Sequence, residues 1–338
     1  MPTSAAAQAC GPVDAVTGFV ECKSDGKTVG DIEAAGGVYY AAPNLTLKLK
    51  DGLIFGVPGV GVAAAGGLSS VVLLAGGVDI AAGALGVENI SGGLASTSLS
   101  SGAFLVATGG GIFTQAGGIG QINISSGSFV TAGGIGLAVD AGGAGSVAVS
   151  SGSYITAGGI GIQVAALGSA SVSVSSASYI SAVGIGIEAD GVGIVEVKND
   201  GQVSAVGIGI DANSAGDLII KTGETGTIDV TAIGVKAVAS GDTLIAVSGK
   251  IQSSDSHGVE SKNTAGSDHS HSIKVSDIEA DLDGIQATTT GGASTSISVG
   301  SIEAGRDAIS VDANSGSVSV KVASTVEAGG NAVARIIK

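Results

Sequence analysis

GSFVTAGGIGLAVDAGGAGSVAVSS occupies residues 127–151, GSYITAGGIGIQVAALGSASVSVSS residues 152–176, and ASYISAVGIGIEA residues 177–189. These are successive copies of one unit about 25 residues long. A period of that length marks a solenoid, a propeller or an array. Within a copy the order is I-x-A, a Gly-rich corner, G-I/L-x-V/A, a second corner, V-x-V and Ser-Ser. Three short period-2 strands separated by small-residue turns predict one coil of a parallel β-helix. No segment carries a 3.6-residue period of useful length, so no helix is predicted.

The register runs both ways from there. The residue that opens the G-I strand is Gly37, Gly61, Gly86, Gly111, Gly136, Gly161, Gly186, Gly209, Gly234, Gly258, Gly284, Ala308 and Ala332, in steps of 23 to 26 residues. Val, Ile or Leu always follows, from Val38 through Leu137 to Val333. A second apolar column precedes it: Ile80, Leu105, Val130, Ile155, Ile180, Val203, Ile228, Ile251, Ile278, Ile302 and Val326. The two columns predict an all-β chain of roughly 13 coils.

Composition agrees. The chain has 60 Gly, 4 Pro, no Trp, 5 Phe and 4 Tyr. A β-helix interior is narrow and takes stacked Val, Ile, Leu and Ala, while its corners take residues that tolerate close stacking or φ > 0. Each coil hydrogen-bonds to the next, so coils stabilise one another and a single elongated domain is expected. A disordered Gly/Ser tract would be poor in Val and Ile, which this chain is not.

Residues 1–30 read as an export remnant and capping loop, and 31–338 as the β-helix. Ala7-Gln8-Ala9 resembles the small-residue end of a secretory signal peptide, although no basic and apolar region precedes it. Cys10 and Cys22 are the only cysteines. So close together after an export-like start, they suggest one local disulfide that caps the first coil; free thiols are the alternative. Coils are expected from Asp31, because Asp31-Ile32-Glu33-Ala34 matches Asp277-Ile278-Glu279-Ala280. No apolar run is long enough for a membrane-spanning helix. The chain stops inside a coil at Arg335-Ile336-Ile337-Lys338, and an uncapped end predicts further chain beyond it.

The tandem G-I-G-I-x-A and S-G-x-I-x-A motifs resemble the passenger domains of type V autotransporters over almost all of 31–338. The cysteine pair near the start is similar to that of some members. The resemblance implies a right-handed parallel β-helix, displayed on the bacterial surface or secreted, followed in the full protein by a C-terminal membrane β-barrel. It also implies an adhesin-like passenger that binds a host-cell surface protein or glycan, or another copy of itself. Alternatives within the family are a released effector that engages a host-cell receptor without catalysis, for example a proangiogenic ligand, and a polysaccharide-active β-helix enzyme.

The residues speak against catalysis. Glycosidases and lyases on this fold need paired carboxylates, or Ca²⁺-binding Asp with a basic residue. Here the arginines are Arg306 and Arg335 only, the carboxylates are scattered, and Asp281 and Asp283 suit a turn. No G-x-S-x-G is present. His269-x-His271 on a strand would put both rings on one face, as a metal pair does, with Asp255, Glu260 and Asp268 close in sequence. A solvated turn rich in Ser, Asp and His is the preferred reading, so no metal and no cofactor is expected. A net charge of −15 excludes a basic nucleic-acid face.

Two columns point to a partner surface. Phe104, Phe129, Tyr154 and Tyr179 recur once per coil beside inward-facing Leu105, Val130, Ile155 and Ile180, so alternation places the aromatics outward, between Asp79 and Gln202. Ile135, Ile160, Ile185, Ile208 and Ile233 share a corner position that later coils give to His257, Asp283, Asp307 and Asn331. A position that accepts Asp and His reads as solvent-facing, which would expose the isoleucines. From Gly52 to Ile187 the only charges are Asp79, Glu88 and Asp140, whereas 170–338 carries 20 acidic and 10 basic residues. An exposed apolar patch of this kind marks a binding surface; like-residue ladders that only stabilise stacking are the alternative.

Overall fold

A computed structural model describes residues 9–337, apart from Ser24, Ser101, Ile119, Ala144, Ser169 and Ala170. Ala7 and Gln8 of the export-like start therefore lie outside the described residues. The chain is 57% strand and 3% helix, and winds as a parallel β-solenoid of about 12 turns. Residues 1–170 and 171–338 form two compact units.

The turns of the first unit have three faces; in the later turns each face takes its own strand, whereas Val38–Leu49 and Val62–Leu74 each run over two faces. Leu137–Ala141 represents the first face, Val147–Ser151 the second and Phe129–Ala132 the third. The pairing is parallel and in register, so Val130 faces Leu105 and Ile155, and Leu137 faces Ile112 and Ile162. Period-2 alternation sends these side chains inward, where Val38, Val62, Val87, Ile112, Leu137 and Ile162 are all at most 1% exposed. Some polar groups inside find partners: Asn89 Nδ2 donates to the Ser96 carbonyl at 2.8 Å, and the Thr97 and Thr114 hydroxyls are 3.0 Å apart. Pro43, which has no N–H to give, stands where the register of strand Val38–Leu49 slips.

The start of the chain departs from expectation. Strand Phe19–Cys22 already pairs with Thr46–Leu49, and Asp31–Ala34 lies in an α-helix, Gly26–Ala35, not in a coil. The helix has local cause: Asp25 caps its first turn by accepting from the Thr28 N–H, and Gly36 ends it at φ 75°. Ile32 points from it into the core and is fully buried. The Cys10–Cys22 disulfide is formed, and Tyr40 Oη steadies the loop by accepting from the Cys10 N–H and donating to the Gly11 carbonyl.

Residues 171–338 repeat the architecture. Ile187, Ile210, Val235, Val259, Ile285 and Ile309 form one inward ladder, and Ile180, Val203, Ile228, Ile251, Ile278 and Ile302 another, all at most 2% exposed. The glycine column is set by close approach. A Cβ on Gly234 would stand 2.3 Å from Ile251 Cγ2 and 2.5 Å from the Gly258 carbonyl oxygen. The same holds in the first unit, where a Cβ on Gly136 would stand 2.5 Å from Ile155 Cγ2 and from the Gly161 oxygen.

Gly234→Ala is therefore expected to destabilise its unit by about 1–3 kcal/mol, the usual penalty for overpacking a filled interior. Ala308→Gly, at the same position in a turn that already accepts a methyl, should change stability by about 1 kcal/mol or less. Denaturant unfolding of the two variants checks the contrast.

Candidate functional site

The third face of the first unit carries the most exposed aromatic surface. Phe104, Phe129 and Tyr154 are 46%, 42% and 52% exposed, while Leu105, Val130 and Ile155 beside them are buried, as alternation requires. The Phe104 and Phe129 rings stack at 5.1 Å and 1°, and Phe129 and Tyr154 at 5.3 Å and 2°. Ile54 and Val106 extend the exposed apolar surface on the same face. Parallel stacking spends the ring faces on one another and leaves their edges outward. Tyr179 belongs to the second unit, where it is half-buried.

The isoleucine column is a correction. Ile135, Ile160, Ile185, Ile208 and Ile233 are half-buried in the corner and less exposed than Phe104, Phe129 and Tyr154. The premise failed at Asp283, which is 1% exposed. Asp is accepted there because it is paired. Arg306 Nε donates to Asp283 Oδ1 at 2.7 Å and its Nη2 reaches Oδ2, while the Asp307 N–H donates to Oδ1 at 3.1 Å. The Arg306 guanidinium holds the Asp283 carboxyl below the usual carboxylate range, assisted by that backbone N–H. His257 Nδ1 lies 3.6 Å from Oδ2.

The histidines do not share a face. His269 precedes strand Ser270–Ala280, and His271 points into the core. His271 Nε2 is 2.8 Å from Ser261 Oγ, its Nδ1 is 3.1 Å from Thr289 Oγ1, and Thr289 is 2.8 Å from Thr295. Burial pushes its pKa down to about 4. His269 faces Asp242, not the acidic residues near it in sequence, at 3.4 Å. Asp217, Asp242 and His269 bring one ligand atom each within 4.8 Å, the arrangement among the described residues that could hold a metal ion. Both carboxylates also serve the turn: Asp217 Oδ1 accepts from the Asp242 N–H, and Asp242 Oδ1 from the Ser270 N–H, which keeps the Asp242 pKa low.

The third face of the second unit is acidic. Asp229, Gln252, Glu279, Glu303 and Glu327 succeed one another in register, and Lys250 Nζ reaches Glu279 Oε2 at 2.6 Å. The sequence showed the acidic excess but not this alignment, which needs the turn-to-turn pairing.

Two predictions test these assignments. Removing Arg306 strands the Asp283 carboxylate, so Arg306→Ala should lower the urea midpoint at pH 7, with part restored by adding Asp283→Asn. His271 is held neutral, so the unfolded chain binds more protons between pH 6.5 and 4. Its contribution is complete above pH 6.5 and falls away towards pH 4, by about 3 kcal/mol. His271→Thr, which matches Thr243 and Thr295 in register, should flatten that slope in urea melts across the window. Comparison with known proteins finds no family model, no curated protein and no solved structure that the chain matches.

Proposed function

We propose that the chain is an exported β-solenoid of the autotransporter-passenger kind that acts by binding, with the aromatic ladder of its first unit as the contact face. The partner is a protein on a host-cell surface or a second copy of the chain. The carrying observation is the stacked, exposed series Phe104, Phe129 and Tyr154 beside Ile54 and Val106. It lies in a stretch, 52–187, whose only charges are Asp79, Glu88 and Asp140, so little long-range repulsion opposes close approach. Contiguous apolar surface of this kind marks interaction sites, and aromatic side chains dominate contact energies. The formed Cys10–Cys22 bond supports an oxidising destination outside the cytoplasm. Among the described residues no helix is long and apolar enough to cross a membrane.

Phe129→Ser with Tyr154→Ser removes two stacked rings without touching the inward ladder. Stability should drop by about 1–3 kcal/mol, the worth of the lost stacking. Binding of the displayed protein to cells, or its self-association, should fall at least tenfold. A folded double variant that binds and associates like the parent would show that the ladder only braces the turns.

A further inference from the structure

The ladder has one missing rung. In register, Ile54 is followed by Asp79, then Phe104, Phe129 and Tyr154. Phe129 covers one face of the Phe104 ring, so the opposite face turns towards the strand that carries Asp79. A carboxylate is shorter than a phenyl ring, and the space it leaves is a groove of about 240 Å³ lined by Ile54, Phe55, Asp79, Ala81, Phe104 and Val106. Gly56 keeps the neighbouring column low, with nothing nearer than 3.9 Å to the position of a Cβ.

The groove carries one charge and nothing to balance it. Asp79 Oδ1 is buried and has no hydrogen-bond partner. No Lys or Arg occurs between Gly52 and Ile187, and Lys48 and Lys50, just before that stretch, are engaged by Glu21. Asp79 as a whole is only half-buried and lines the groove, so its uncompensated charge reaches the groove surface, where a cationic donor is attracted to it.

We infer that this groove receives the guanidinium of an arginine side chain presented by a partner protein. The inference deepens the binding role proposed above by naming what the partner brings. A guanidinium is flat, stacks on an aromatic face and donates to a carboxylate at the same time. It would occupy the missing rung as Phe129 occupies the next one, while its methylene stem covers Ile54 and Val106. An ammonium has the charge without the plane, and a neutral ring has the plane without the charge.

The test is a calorimetric titration of the purified chain with N-acetyl-arginine amide, its neutral isostere N-acetyl-citrulline amide, and N-acetyl-lysine amide. Arginine amide should bind at least tenfold more tightly than citrulline amide, with lysine amide between them. Asp79→Asn and Phe104→Leu should each weaken arginine binding at least tenfold. Asp79→Phe, which fills the rung, should abolish binding and raise the melting temperature. Equal binding of the arginine and citrulline compounds, no binding of either, or full arginine binding by folded Asp79→Asn would overturn the inference. The ligand comparison uses the parent chain, so a variant that fails to fold leaves it decisive. A failed titration would leave the cell-binding result with the Phe129 and Tyr154 variant untouched, so the two readings fall separately.

Discussion

The close approach of each turn to the next is the constraint on which the structure depends. Where a strand of the first face begins, the backbone passes so near the following turn that a methyl group would collide with an inward isoleucine and with a carbonyl oxygen, as at Gly136 and Gly234. At Gly136 and Gly234 glycine is placed for lack of volume, because neither has the positive φ that favours glycine. With the corner closed this tightly, the parallel ladders stay in register and the interior is narrow enough for stacked Val, Ile and Leu to fill. Ala308 marks where the second unit relaxes the rule.

That constraint fixes the inward positions and leaves the outward ones free. The third face shows the consequence. In the first unit its outward column runs through Ile54, Asp79, Phe104, Phe129 and Tyr154. In the second unit the face carries Glu279, Glu303 and Glu327 over an interior of the same kind. One scaffold thus presents an apolar stripe and an acidic one with no change in core packing. Function on such a fold is carried by its surface columns, and the aromatic column is the one proposed to bind.

The inward ladders, the parallel coils, the cysteine bond and the outward Phe104, Phe129 and Tyr154, though not Tyr179, were legible in the sequence because each follows from a local period or a spacing. The helix Gly26–Ala35 was not, because Asp31-Ile32-Glu33-Ala34 copies a strand motif found near the other end. Its signals were present in Asp25, Gly36 and the Val29–Ile32 spacing, and capping chemistry outweighed the motif. The isoleucine corner misled because Asp283 was taken as evidence of solvent. Its partner, Arg306, arrives from the following turn, 23 residues on. His269 and Asp242 are likewise brought together by stacking. Partners one turn apart are invisible until the register is known, and His271 shows the same limit from inside the core.

The central claim is that the aromatic column, and no other face, meets the partner. Site-specific photo-crosslinking tests it most directly. A benzoylphenylalanine placed at Phe129 on the third face would be compared with one at exposed Ser125 on the second face of the same turn. The account predicts a crosslinked partner, a cell-surface protein or a second copy of the chain, from position 129 and none from position 125. Equal yields from both positions, or a crosslink from 125 alone, would contradict it.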